Sequence, residues 1–61
     1  MNNFIPEKGQ FFWYVEEVIN EELGFPDLEI LSDKFDPSKH YKLVENNNCY
    51  LTEQDAYDSL L

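Results

Sequence analysis

The 61-residue chain carries thirteen Asp or Glu against four Lys and no Arg, a formal charge of −9. Direct binding to a phosphate backbone depends on Lys and Arg and is therefore excluded, and a domain this short buries only about 60% of its unfolded surface, which leaves no room for an enclosed catalytic cavity. Aromatic residues make up 16% of the chain, too many for a sequence that is acidic because it is disordered, so residues 1–61 read as one folded domain held together against its own charge.

Pro6 to Gly9 is turn chemistry, and Gln10-Phe11-Phe12-Trp13-Tyr14-Val15 is a run of aromatic and β-branched residues suited to a pleated surface. A strand is expected from about Phe11 to Ile19. A helix competes over the same residues, because Phe11, Val15, Ile19 and Leu23 recur at i, i+4 and Gly24 with Pro26 would stop it; consecutive bulky aromatics crowd χ1 in a helix and favour the strand. Glu21 to Pro26 forms the loop, and alternation over Asp27–Asp33 predicts a second strand with Leu28 and Ile30 on one face and Asp27, Glu29 and Asp33 on the other.

Phe35 to His40 reads as a turn or irregular crossing, since Asp36-Pro37 is biased away from helix. Tyr41 to Val44 suits a short strand or a docking loop. Asn46-Asn47-Asn48 marks a turn, because asparagine tolerates positive φ. Thr52-Glu53-Gln54-Asp55 is a variant capping box in which Thr52 accepts from the Asp55 backbone N–H and the Asp55 side chain reaches back. A helix over about 53–61 follows, with Ala56, Tyr57, Leu60 and Leu61 as its apolar stripe, too short to persist without packing on the sheet. The fold class is α+β: a small antiparallel sheet of two or three strands, with a hairpin over about 11–33, and one C-terminal helix.

Three stretches, Pro6-Glu7-Lys8-Gly9-Gln10-Phe11-Phe12-Trp13-Tyr14, Asp33-Lys34-Phe35-Asp36 and Asn48-Cys49-Tyr50-Leu51-Thr52-Glu53-Gln54-Asp55-Ala56, together resemble a group of small, mostly uncharacterised phage and prophage proteins. Members of that group open on Lys-Gly-x-x-Tyr-Trp-Tyr, turn at Asp-x-Phe-Asp and start a helix at Gly-Asn-Cys-Phe-x-Thr-Glu-Glu-Glu-Ala. This chain differs in having Asn47-Asn48 where Gly-Asn is usual and in lacking the second half of that helix. The resemblance implies a phage origin and a small α+β fold, and it brings no functional residue with it.

Residues that could carry chemistry are few. His40 sits between Lys39 and Tyr41 with no nucleophile or ligand set nearby in sequence and reads as a turn or surface residue. Cys49 is the single cysteine; it allows no internal disulfide and reads as a small buried hydrophobe rather than a reactive thiol. Asp33-Lys34-Phe35-Asp36 lacks the EF-hand ligand spacing, Glu16-Glu17 and Glu21-Glu22 read as solvated carboxylates, and no phosphate loop, dinucleotide fingerprint or zinc ligand set occurs. No enzyme activity, cofactor or metal is expected. Without a signal peptide or a long apolar run at its start, the chain is expected to be soluble, unexported and cytoplasmic, with no membrane contact.

What remains is surface. Asp27 and Glu29, two residues apart on a strand, place carboxylates about 6.6 to 6.8 Å apart, comparable to phosphates along one nucleic-acid strand, and Glu16, Glu17, Glu21 and Glu22 extend the row if the strands pair. Phe12 and Tyr14 project beside Glu16 if Phe11, Trp13 and Val15 face the core; the alternative is that they are covered by the Phe35 to Val44 segment. The expected partner-binding residues are therefore Phe12, Tyr14, Glu16, Glu17, Asp27 and Glu29, facing a basic host protein that handles nucleic acid or serves in defence, with self-association into a homodimer also expected of so small a core. A phage inhibitor, acting as a nucleic-acid mimic, is the leading reading; a homo-oligomeric accessory or structural module is the second.

Overall fold

The computed structural model describes residues 4–61 and has an α+β fold: an antiparallel hairpin followed by two short helices. β1 (Phe11–Asn20) and β2 (Phe25–Lys34) stay in register from Phe11 opposite Lys34 to Asn20 opposite Phe25. The reversal is fixed locally. Asn20 Oδ1 accepts the backbone N–H groups of Glu22 and Leu23 at 3.1 and 3.3 Å, its carbonyl accepts from Gly24 at 2.9 Å, and Gly24 takes φ 73°, which a β-carbon would disfavour. At the open end, Gln10 N–H donates to the Glu7 carbonyl around Gly9 at φ 86°, and Gly9 and Gln10 both bond to Phe35.

Pro26, expected in the loop, lies within β2. The register explains how: Ile19 is its partner, and odd-numbered residues of β1 turn their backbone groups away from β2, so Pro26 occupies a position that donates nothing to the ladder.

The chain after the hairpin folds back over its open end. Asp36 Oδ1 accepts from Ser38 N–H and Oγ at 3.0 and 2.7 Å, and the Asp36 carbonyl accepts from Lys39 and His40, closing a tight turn. It delivers Tyr41–Glu45 as a helix, α1, where a strand or docking loop was expected. The β propensity of Tyr41 and Val44 is outweighed by closure at both ends: Asn47 takes φ 53°, Asn47 N–H bonds the Val44 carbonyl and Asn48 N–H the Leu43 carbonyl, a Schellman motif with asparagine in the left-handed position. The expected asparagine turn is thus present and also serves as this helix's stop.

β1 then gains a partner on its outer edge. Tyr50 and Trp13 exchange backbone bonds at 2.8 and 2.9 Å, and the Asn48 side chain does the same for Val15, accepting from its N–H at 2.9 Å and donating to its carbonyl at 2.7 Å. Thr52 Oγ1 caps α2 (Glu53–Asp58) by accepting from Asp55 N–H at 3.1 Å, as the capping box predicts. This helix touches both strands, ends three residues earlier than expected, and buries Ala56 while Tyr57, Leu60 and Leu61 stay exposed.

Of the two alternatives for β1, the core lies on the Phe12/Tyr14 face, covered by the Phe35 to Val44 segment, and not on the Phe11/Trp13/Val15 face. Phe12 is fully buried and clusters with Phe35 and Cys49, with Tyr14, Leu43 and Val44 packed around it. Phe11, the first residue of the expected core face, is 70% exposed. Phe12 is therefore not an exposed anchor, and Phe12 and Tyr14 do not form a free apolar surface. Both residue sets of β1 are apolar, so alternation alone is symmetric between the faces; the covering turn at 35–40 decides which is buried. His40 completes the cluster, edge-on to Phe12 at 5.0 Å and stacked on Phe35 at 5.8 Å.

Candidate functional site

Ten strand residues span about 33 Å, most of the 37 Å longest dimension of the molecule, so the hairpin defines its long axis. The covering segments reach only its open half. From Glu16 to Glu29 every residue except Asn20 is exposed, and this half projects as an arm.

Its chemistry is one-signed. The arm holds Glu16, Glu17, Glu21, Glu22, Asp27 and Glu29 and no lysine. All four lysines, Lys8, Lys34, Lys39 and Lys42, lie outside it. Lys39 is bonded to Asp33 at 3.2 Å, and Lys42 lies 5.8 Å from the Tyr41 ring, so neither is turned to the arm.

Register sorts the carboxylates. Residues directly opposite share a face, so Glu16 and Glu29 face each other on the same side as Asp27, whose partner is Val18. Glu17 pairs with Leu28 on the other face, beside Ile19 and Pro26. The expected row is thus assembled from Asp27, Glu29 and Glu16; Glu17 is separated from it by the pleat, and Glu21 and Glu22 stand in the tip turn. Like charges directly opposite one another destabilise a sheet, and among the described residues no cation is paired with Glu16 or Glu29. Interleaved with the charges are Ile19, Leu23, Phe25 and Leu28, all more than half exposed.

Tyr14 lies where the arm meets the core, half-buried and stacked on Phe12 at 5.5 Å. Burial, and then the neighbouring Glu16 and Asp33 carboxylates, push its hydroxyl above the ordinary tyrosine value.

His40, read as a turn or surface residue, lies in the turn after Asp36 but is buried, 5% exposed. Its Nδ1 accepts from Asp36 N–H at 3.0 Å, which places the proton on Nε2, and Nε2–H donates to Asp33 Oδ2 at 3.1 Å. Both ring nitrogens are therefore used in holding the turn over Phe12, a structural assignment invisible in sequence because its partners lie four and seven residues upstream. The Lys34 backbone N–H foremost, with Lys39 and His40 adding to it, holds the Asp33 carboxyl below the usual carboxylate range. Cys49 is fully buried and burial raises its thiol, keeping it protonated.

The described residues also form open hollows. One at the arm tip is lined by Glu17, Ile19, Gly24, Phe25 and Pro26; another, mostly apolar and about 490 Å³, lies between Ile5, Phe35, Tyr41 and Val44 with Glu45 at its wall. Among the described residues no His, Cys, Asp and Glu group has metal-binding geometry, and no helix is long and apolar enough to cross a membrane. Comparison of the chain with protein-family models, curated proteins and solved structures finds no match.

Proposed function

We propose that this is a non-enzymatic interaction protein that uses its hairpin arm to bind a basic protein surface of the kind that holds nucleic acid, and thereby inhibits the protein that carries it. The observation that carries this reading is the segregation of charge: six carboxylates and no lysine on a projecting arm, including a like-charged cross-strand pair that costs stability. A solubilising charge has no need of that arrangement and would be as effective dispersed over the body. The exposed Ile19, Leu23, Phe25 and Leu28 supply apolar contact between the charges, the usual composition of a binding patch. Asp27 and Glu29 on one strand and Glu16 on the other offer the phosphate-like spacing of a nucleic-acid mimic.

The test is capture from a bacterial lysate, the setting that the resemblance to phage proteins implies, on immobilised wild type and on a Glu16→Gln, Asp27→Asn, Glu29→Gln variant. Wild type should retain nucleic-acid-binding proteins that duplex DNA displaces, and the variant should lose them. Retention of the same proteins by both resins, insensitive to DNA, would refute the reading.

A further inference from the structure

The hairpin has two outer edges, and they are treated differently. On β2 the outward-facing positions are Pro26, Leu28, Ile30, Ser32 and Lys34, because the opposite residues of β1 turn their backbone away. Pro26 has no N–H to offer. Asp27 Oδ1 folds back onto Leu28 N–H at 3.0 Å, and Asp33 Oδ1 onto Lys34 N–H at 2.8 Å. A strand approaching this edge finds its donors missing or occupied at three positions of five, which is how natural sheets protect an edge.

β1 is different. Its outward groups are used at Trp13, by Tyr50, and at Val15, by the Asn48 side chain. The same alternation turns the N–H and C=O of Glu17 and Ile19 outward on this side, and among the described residues no segment pairs with them there. Beyond β1 only the single Trp13–Tyr50 bridge and the Asn48 side chain continue the sheet, and this line stops at Asn48, where the chain leaves through the left-handed Asn47. Both Glu17 and Ile19 are exposed, Ile19 to 77%.

Resting on the acidic-arm reading above, we infer that the outer edge of β1 at Glu17 and Ile19 receives an extended segment of the basic partner, which continues the line of Asn48 and Tyr50 as a third strand. Main-chain bonds to Glu17 and Ile19 supply the register, as in strand addition generally. Charge supplies the choice of occupant. The incoming residues opposite Glu16 and Glu17 lie within a cross-strand side-chain distance of carboxylates and are lysine or arginine, and the residue opposite Ile19 is apolar. A second copy of this chain is the poorer occupant, since it would bring two arms of six carboxylates together.

The probe is a short acetylated and amidated peptide, Thr-Val-Val-Lys-Lys-Thr, titrated against the full chain with amide exchange followed by NMR. The expected result is about tenfold or greater slowing of exchange at Glu17 and Ile19, with Ile30 and Ser32 unchanged. N-methylation of alternate peptide amides should abolish binding in one phase of the alternation and be tolerated in the other. Ile19→Pro removes one outward N–H without touching the β1–β2 ladder, and should melt near wild type while losing the peptide. Salt-sensitive binding with no protection at Glu17 and Ile19, or equal tolerance of both methylation patterns, would overturn strand addition and leave the acidic arm as a plain cation-binding surface. Absence of peptide binding at millimolar concentration would contradict both readings. Protection already present without peptide and rising with protein concentration would assign the edge to a second copy and overturn the inference.

Discussion

Asn48 is the residue whose loss should be felt most for its size. Its amide makes two bonds to the Val15 backbone, at 2.9 and 2.7 Å, across a sequence separation of 33 residues, and stands in for a strand residue where the chain itself has turned away. Each such bond contributes about 0.5 to 1.5 kcal/mol net. Asn48→Ala removes both and leaves a part-buried N–H and C=O on β1 that water reaches incompletely, for an expected loss of about 2 kcal/mol. Set against a total of about 3 to 9 kcal/mol for a domain of this length, that lowers Tm by about 8 to 16 °C. Circular dichroism melts at equal concentration measure it, with faster amide exchange at Val15 as the local signature. Asn48→Asp separates the two bonds: the carboxylate still accepts from Val15 N–H but faces the Val15 carbonyl without a donor, so it should be at least as destabilising as alanine. An alanine variant melting within error of wild type, or an Asp variant indistinguishable from it, would refute the assignment of Asn48 as a surrogate strand residue.

Phe12→Ala should cost about 3 to 5 kcal/mol, the usual range for emptying a buried phenylalanine site, and leave a largely unfolded protein by circular dichroism; a change within about 0.5 kcal/mol, typical of surface sites, would mean that Phe12 is not in the core. The Asp33 carboxyl is held below its unfolded value, so the stability it contributes is full above about pH 4 and is lost as pH falls through the lower folded value. Asp33→Asn should therefore melt below wild type at neutral pH, and the gap should close as pH falls below about 4; a gap independent of pH would show that the charge of Asp33 plays no part.

The hairpin was legible in the sequence because an aromatic run and an acidic alternation, separated by Gly24, have few other ways to pair. The helix start at Thr52 was legible for a local reason too, since a cap and its N–H lie three residues apart. Which face of β1 is buried was not, because Phe11/Trp13/Val15 and Phe12/Tyr14 are equally apolar and the choice belongs to residues more than twenty positions away. Asn48 was missed as a structural element for the same reason, since it acts through the Val15 backbone 33 residues away; His40 was missed because its nearby partners, the Asp36 N–H and the Asp33 carboxylate, belong to an irregular turn with no periodic signature. Of the expected interaction residues, Asp27, Glu29 and Glu16 come together on one face by the period of the pleat, whereas Glu17 falls on the other and Phe12 is withdrawn into the core.

Binding and stability make opposite demands on the Glu16/Glu29 pair, and Glu16→Lys separates them. Replacing one of two facing carboxylates with an ammonium turns a cross-strand repulsion into an attraction, a gain of about 0.5 to 1 kcal/mol or a few degrees in Tm. If the arm's carboxylates exist to meet a basic partner, the same substitution should weaken, by tenfold or more, both retention of the DNA-displaceable proteins and their salt-dependent association. A variant that melts higher and binds worse is the predicted outcome; one that melts higher and binds as well as wild type would contradict the account.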